Sequence, residues 1–407
     1  MFGSEMLVFL VALLSLSVVT RAGALFLLAA SLLVAALLSR LWERYCLVGV
    51  EYHRGLGATR VPIGEEVPMD LQILNRKLLP LAWLEVADEL PEGIKLRSGR
   101  VRPSSSPARV SLTFITALRP FERVRRRYLL HCVARGEHLF GPVRLRSGDL
   151  FGFVSVERTI ENASCLVVYP RLVPLPDLGL PARQPLGDLR SRSWIFEDAS
   201  RPSGPREYRP EDGLRRIHWP ASVRTQRLQA RTYDVTTSPR LAIFLNVNPP
   251  GEVDAPTVQG EVMVEAAISA AASIARWGLE QGCQVGLYCN GAHRGAPGPI
   301  VVESAADKGQ LERILLALGR LQTVESVGFE SLLAREARWL PFGSTLVVVA
   351  ASLPTAAGEV MAGLEKDGHP VVVLLAKEVG GAGSPVGTAL RRVSPQPGRE
   401  AMGAIVP

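Results

Sequence analysis

Lysine, cysteine and the common nucleotide-binding motifs are what this 407-residue chain has least of. Its five cysteines, Cys46, Cys132, Cys165, Cys283 and Cys289, are odd in number and form no CxxC pair. That pattern argues against a disulfide framework and against a zinc site. Cys283 and Cys289 lie six residues apart in a strand-like run, roughly 20 Å in extended backbone and too far to share a metal. Buried free thiols in a reducing compartment are the expected state. With no GxGxxG and no GxxxxGK[ST], neither a dinucleotide fold nor a P-loop is supported. Only five of the 46 basic residues are lysine, leaving 41 arginines, whose rigid forks bind carboxylates and phosphates bidentately. No basic n-region precedes the first apolar run, which argues against a signal peptide.

What is present is an uneven distribution of apolar residues. The chain is 47% hydrophobic and 21% charged with a net charge of +7, and its mean hydropathy of +0.17 is high for a wholly soluble protein and low for a polytopic transporter. Collagen, disulfide miniproteins and bulk disorder are excluded by composition, and the length suggests two or three domains. The apolar excess sits at the N-terminus, in runs from Phe2 to Thr20 and from Ala22 to Ser39 separated by Arg21 and Gly23. Each run is near the lower length limit for a membrane-spanning helix. A hairpin anchor over residues 1–45 is expected, with a single bent span as the alternative. Arg40, Arg44 and Arg54 follow the second run, so the positive-inside rule places the remaining bulk in the cytoplasm, and Trp42 and Tyr45 suit the membrane interface.

Residues 46–170 read as a β-sandwich-like domain. Short β-rich runs at Val67–Leu74, Trp83–Val86, Val110–Ile115, Tyr128–Val133 and Cys165–Tyr169 are separated by turn signals such as Asn75-Arg76, Leu90-Pro91-Glu92-Gly93 and Ser147-Gly148-Asp149. Phe151-Gly152-Phe153 reads as a further strand. The basic run Arg123, Arg125, Arg126 and Arg127 fits a solvated edge strand protected by charge, or a patch facing anionic lipid. The segment 171–239 combines a Pro/Arg-rich linker with an arginine-dense motif.

Residues 240–378 read as α/β with a mostly parallel sheet. The expected order is strand Leu241–Val247, helix Thr257–Gln281 stopped at Gly282, strand Gln284–Cys289, helices near Lys308–Leu318 and Phe329–Trp339, strand Thr345–Ala350, helix Ala356–Lys366 and strand Val371–Leu375. Gly291–Gly298 reads as a turn or surface loop, and 379–407 as a flexible tail. Ligands of such sheets bind beyond the carboxyl ends of the strands, which for the first strand means Asn246, Asn248 and Pro250.

The most informative stretch lies between Arg201 and Arg231, where eight arginines face three carboxylates. Asp212 suits an N-cap for a short helix over Gly213–Trp219 stopped before Pro220, with Arg215 and Arg216 within reach of Asp212 and Ile217 and Trp219 as apolar anchors. Arg206, Tyr208, Asp212, Arg215, Ile217, Trp219, Ser222, Arg224 and Leu228 match R-x-Y-x-x-G-D-x-x-R-x-I-x-W-x-x-S-A-R-x-x-x-L, and on that pattern the chain resembles the domain-of-unknown-function family 58. Glu211 replaces the Gly of the pattern and Val223 the Ala. The resemblance covers nearly the whole chain and implies a multidomain protein: a transmembrane helical hairpin, a β domain, the signature, then a von Willebrand A-like α/β domain.

Members of the family resembled are often encoded beside MoxR-type AAA+ ATPases and transglutaminase-like membrane proteins. The implied role is a membrane-anchored, non-catalytic adaptor in assembly or maturation of a cell-envelope or metalloprotein complex, without a cofactor. Von Willebrand A domains with a metal site carry D-x-S-x-S at the first strand tip, where this chain has Asn246, Asn248 and Pro250, and Ala350-Ala351-Ser352 at the second acidic position. Hard cations want carboxylate oxygen, so no functional metal site is expected. The signature is either structural, with Trp219 and Ile217 packed and Arg215 and Arg224 paired to carboxylates such as Asp212, or a docking surface. An enzyme built on Asp212, His218 and Ser222 would lack a second carboxylate and an oxyanion element. Nucleic-acid binding through the arginines with Tyr208, Tyr233 and Trp219 is disfavoured by the interleaved acids and the anchor.

Overall fold

A computed structural model describes residues 4–20, 23–104, 106–149, 155–178, 180, 202–208, 217–233, 239–250, 258–378 and 388–393. The chain divides into two compact units, Met1–Tyr169 and Pro170–Pro407.

The first unit opens with two apolar helices, α1 (Ser4–Val19) and α2 (Gly23–Tyr45). They pack on each other through Leu10 and Ser17 on α1 and Ala29 and Ala36 on α2, all buried. Small residues at heptad spacing let two apolar helices approach closely. The 23-residue α2 is long and apolar enough to cross a bilayer; α1, at 16 residues, reaches about 24 Å, short of a core of roughly 30 Å.

The rest of this unit is β structure. One sheet orders Val50–Leu56, Glu66–Asn75, Arg123–Cys132 and Ile94–Leu96; a second orders Ser155–Ile160, Val143–Gly148, Leu81–Pro91, Arg109–Leu118 and Val101–Pro103. Both are antiparallel. A third, smaller sheet pairs Ser164–Tyr169 with Arg60–Pro62 and Gly136–Phe140. Alternation explains the core: Val67, Met69, Leu71 and Ile73 of one strand point inward, as do Leu84, Val86, Leu112, Leu130, Leu145 and Val168 of others, into a single cluster.

The arginine run pairs with Glu66–Asn75 on one side, while on the other side of its strand Ile94–Leu96 pairs with Leu130–Cys132 and Arg97 N donates to Leu129 O. Arg127 bonds Asp70 at 2.8 Å and Arg126 lies over the Phe114 ring. Ser147 and Gly148, expected in a turn, complete a strand held by Ser147 Oγ donating to Trp83 O. The expected strand Phe151–Phe153 lies outside the described residues.

The last turns of α2 belong to the β core. Trp42 and Cys46 pack against it, Ser39 Oγ donates to Asp149 Oδ2 at 3.1 Å, and Lys77 Nζ donates to the carbonyls of Tyr45, Cys46 and Val48 at the helix end. A cation on the carbonyl end of a helix satisfies orphan acceptors and complements the dipole.

In the second unit, residues expected as linker include a 3-10 turn, Leu175–Leu178, with Val173, Leu175 and Leu178 buried and Val173 N donating to Ser273 Oγ. The strands Pro202–Glu207 and Gln229–Tyr233 pair as an antiparallel ribbon around α3 (Trp219–Thr225). A six-stranded mixed sheet follows in the order Ile300–Ala305, Gln284–Cys289, Arg240–Asn246, Thr345–Ala350, Val371–Glu378, Thr388–Val393. The four central strands are parallel and both outer ones antiparallel.

Helices α4 (Val258–Glu280), α5 (Gln310–Arg320), α6 (Phe329–Ala337) and α7 (Thr355–Lys366) cover this sheet. Ala242, Phe244, Leu346 and Val348 face α6 and α7. Leu241 and Val285 face α4, so closely that a Cβ on Gly278 would lie 2.8 Å from Leu241 Cδ2. Helix α4 is as long as α2 and apolar, but mostly buried, which marks it as a core helix.

Two expectations fail here. The supposed loop at Gly291–Gly298 contains the strand Gly291–His293, paired with Leu321–Glu325, and the tail contains Thr388–Val393. Gly291–His293 is only three residues long and pairs with a strand distant in sequence, whereas Thr388–Val393 pairs with the preceding strand across a Gly/Pro-rich connection whose composition reads as a loop.

Candidate functional site

Two places in the second unit bring together the residues singled out in the sequence: the ribbon carrying the family-like signature and the carboxyl edge of the parallel strands.

In the ribbon, Ile217 forms an isolated bridge to Ala230, and both are buried. His218 N donates to Gln229 O at 2.7 Å, and Tyr208 N to Leu228 O at 2.8 Å. The helix therefore does not end before Pro220, as expected; α3 starts there, with His218 as N-cap accepting from Ala221 N at 3.1 Å through Nδ1. The physical reason is that proline lacks an N–H which, in a first helical turn, has no intrahelical acceptor anyway. Gln226 terminates α3 in the left-handed region, at φ +52°. Ser222 Oγ donates to His218 O at 3.0 Å and accepts from Gln229 N at 2.9 Å, locking the helix onto the strand.

The outer face of α3 is different. Trp219 is 62% and Val223 76% exposed, one helical turn apart, and Arg224 and Leu228 are also exposed. The expectation that Trp219 packs with Ile217 is therefore wrong for the tryptophan: only Ile217 turns inward. Beside this face Arg227 pairs with Glu207 at 3.6 Å. Tyr208 is half-buried. The Arg206 backbone lies in the first ribbon strand, opposite Ala230. Asp212 and Arg215, and with them the expected N-cap and the pairings of Asp212, lie outside the described residues.

At the sheet edge, Asn246 and Asn248 join a closed amide network. Asn290, which sequence reasoning missed, is its centre. Its Nδ2 donates to Asn246 Oδ1 at 2.9 Å, its Oδ1 accepts from Val247 N at 2.9 Å, and its backbone carbonyl accepts from both Ser326 N and Ser326 Oγ. Asn246 Nδ2 donates to Ser352 O at 2.8 Å, and Asn248 N to Asn246 Oδ1 at 3.2 Å. Ser352 Oγ closes the ring by donating to Asn248 O at 3.1 Å. Asn246 and Asn290 are fully buried, so their amide oxygens are committed to N–H donors. The signal that could have found Asn290 was a polar residue immediately after the apolar run Gln284–Cys289, at the carboxyl end of a buried strand. Among the described residues no three His, Cys, Asp or Glu side chains cluster as metal ligands.

Chemically, the ribbon offers an apolar, arginine-flanked surface and the sheet edge an amide network in which Asn290 Nδ2 also reaches the Glu325 carboxylate at 3.5 Å. His218 Nδ1 and the Ser222 hydroxyl are both occupied by backbone partners rather than by each other.

No family model matches the chain. It is 25% identical over 203 residues to the uncharacterized protein YeaD of Bacillus subtilis (strain 168), covering 50% of this chain and 49% of that protein; the chain thus spans about half the length of this curated relative. Solved structures similar to parts of the chain include a non-cellulosomal cohesin from Archaeoglobus fulgidus, at 7% identity over 29% of this chain and 91% of that one, with a TM-score of 0.20. A cohesin module from a Clostridium perfringens family 33 glycoside hydrolase aligns at 11% identity over 29% and 96%, with a TM-score of 0.21. Scores this low carry no functional argument.

Proposed function

We propose that this protein is a membrane-anchored, non-catalytic adaptor of the domain-of-unknown-function family 58 kind. In this reading α1 and α2 form the anchor, the soluble units are cytoplasmic, the mixed α/β unit is von Willebrand A-like, and the outer face of α3 docks a MoxR-type AAA+ ATPase. The observation that carries it is the division of the signature into two halves. Ile217 and Ser222 hold the ribbon together, whereas Trp219, Val223 and Arg224 face outward and contribute nothing to a core. Tryptophan and arginine are among the residue types most enriched at binding hot spots. The ATP-driven work would belong to the partner, in keeping with the missing P-loop. The hydrogen-bonded Asn246–Asn290 network supports a sheet edge that serves as scaffold rather than cation site.

The test is direct binding of the detergent-solubilised full chain to a purified MoxR-type ATPase. Trp219→Ala is expected to weaken binding about 30-fold, the equivalent of roughly 2 kcal/mol at a hot spot, with an unchanged melting temperature. Wild-type affinity in Trp219→Ala, or no binding by the wild type, would remove this reading.

A further inference from the structure

One end of the β unit carries exposed apolar side chains that no core requires. The turn after the Glu66–Asn75 strand presents Leu78, 78% exposed, and the turn before the Arg123–Cys132 strand presents Phe121, 63% exposed. The two turns are joined: Phe121 N donates to Lys77 O, Asn75 N to Glu122 O, and Asn75 Nδ2 to both Leu79 O and Arg119 O at 3.0 Å. Phe121 also sits at φ +55°, a conformation costly for a bulky L-residue and one that tends to be kept where function needs it.

These tips lie where α2 ends. Lys77, between Arg76 and Leu78, grips the carbonyls of Tyr45, Cys46 and Val48, and Val48 is itself exposed. The apolar run of α2 stops at Leu38, so the end of the helix lies about 10 Å beyond it along the axis, at the level of the lipid headgroups once the usual tilt is included. The charge matches that place. Arg119 and Arg123 are exposed beside Phe121. Of the carboxylates near this end, Glu51 is paired with Arg76 at 3.0 Å and Glu122 accepts from the Arg119 backbone N–H at 2.6 Å, while Glu43 is exposed in the last turn of α2.

We infer that Leu78 and Phe121 insert into the interfacial layer of an anionic bilayer, with Arg119 and Arg123 on its headgroups, so that the β unit is seated on the membrane and not merely tethered to it. The inference rests on reading α2 as a membrane span. Apolar wedges flanked by arginine gain both from burial in the acyl boundary and from the negative surface potential.

The experiment places an environment-sensitive fluorophore on single cysteines in the full chain, reconstituted in nanodiscs of phosphatidylcholine with phosphatidylglycerol. Cys165→Ser removes the one native thiol that is not buried. The labelled positions are Leu78→Cys, Phe121→Cys, Leu28→Cys within α2, and Glu92→Cys at the opposite end of the β unit. Blue-shifted emission and quenching by shallow doxyl lipids at positions 78 and 121, with position 92 silent, is the expected result. Reduced quenching on omission of phosphatidylglycerol, or in Arg119→Glu/Arg123→Glu, supports the headgroup contact. Quenching at 28 while 78 and 121 behave like 92 overturns the inference and leaves the anchor standing. A silent position 28 removes the anchor reading and this inference with it.

Discussion

At the scale of single residues, the polar groups that matter most are buried, and their partners come from distant parts of the chain. Asn290 couples the first two parallel strands to the segment after the Leu321–Glu325 strand. Asn290→Ala leaves Asn246 Oδ1 with Asn248 N as its remaining donor and orphans the Val247 N–H, the latter a loss of about 1–3 kcal/mol when buried. A fall in chemical-denaturation midpoint without loss of membrane association is the expected outcome. In the β unit, Arg54 pairs with Asp88, both wholly buried, and Tyr52 adds a 2.7 Å bond to the same carboxylate. Burial also pushes the His138 imidazole below its ordinary value of 6.5, against the opposing hydrogen bond to Ala134 O. The unfolded chain then takes up the proton more readily than the folded one. His138 therefore contributes stability that is complete above pH about 6.5 and is lost as pH falls through that value toward its folded-state pKa. Thermal melts across this range should show that acid slope in the wild type and a flatter one in His138→Gln.

At the scale of elements, the regular pieces were legible wherever an apolar pattern ran long enough to declare its period. The strands Gln284–Cys289 and Thr345–Ala350 and the helix from Phe329 follow directly from apolar runs and from the 3.6-residue spacing. Positive φ at Gly282 marks the end of α4 as the glycine suggested, and Gly368 does the same after α7. Helix α3 shows where local reasoning misleads. Pro220 reads as a stop when the preceding residues are assumed helical, and as a start once His218 is tied to Gln229. Ser222 makes that second outcome stable, because its hydroxyl uses one donor and one acceptor on two separate segments. Ser222→Ala should loosen the ribbon by about 1–3 kcal/mol and raise amide exchange at Gln229. Trp219→Ala should leave that exchange unchanged, which separates the structural half of the signature from its outward half.

At the scale of the whole molecule, the boundary between the apolar helices and the β strands does not fall where composition places it. Residues 1–45 look like one apolar segment, yet Ser39 and Trp42 are part of the β unit's packing. A chain truncated to begin at Ser39 is therefore expected to melt higher than one beginning at Leu47, since the shorter one exposes the surface that Trp42 covers and frees Lys77 from the helix carbonyls. Equal melting temperatures in scanning fluorimetry would show that the helix end adds nothing to the fold.

What the sequence determined by itself was everything governed by short-range periodicity and composition: the apolar helices, the alternating strands, the parallel α/β core and the position of the arginine-rich signature. The tertiary structure alone decided which polar residues close on one another, as Asn246 with Asn290 and Arg54 with Asp88. It also decided which signature side chains face out, and that short strands at Gly291–His293 and Thr388–Val393 join their sheets. These features depend on pairings between residues ten or more positions apart. Their free energy comes from burial and mutual satisfaction of polar groups, which no local window contains.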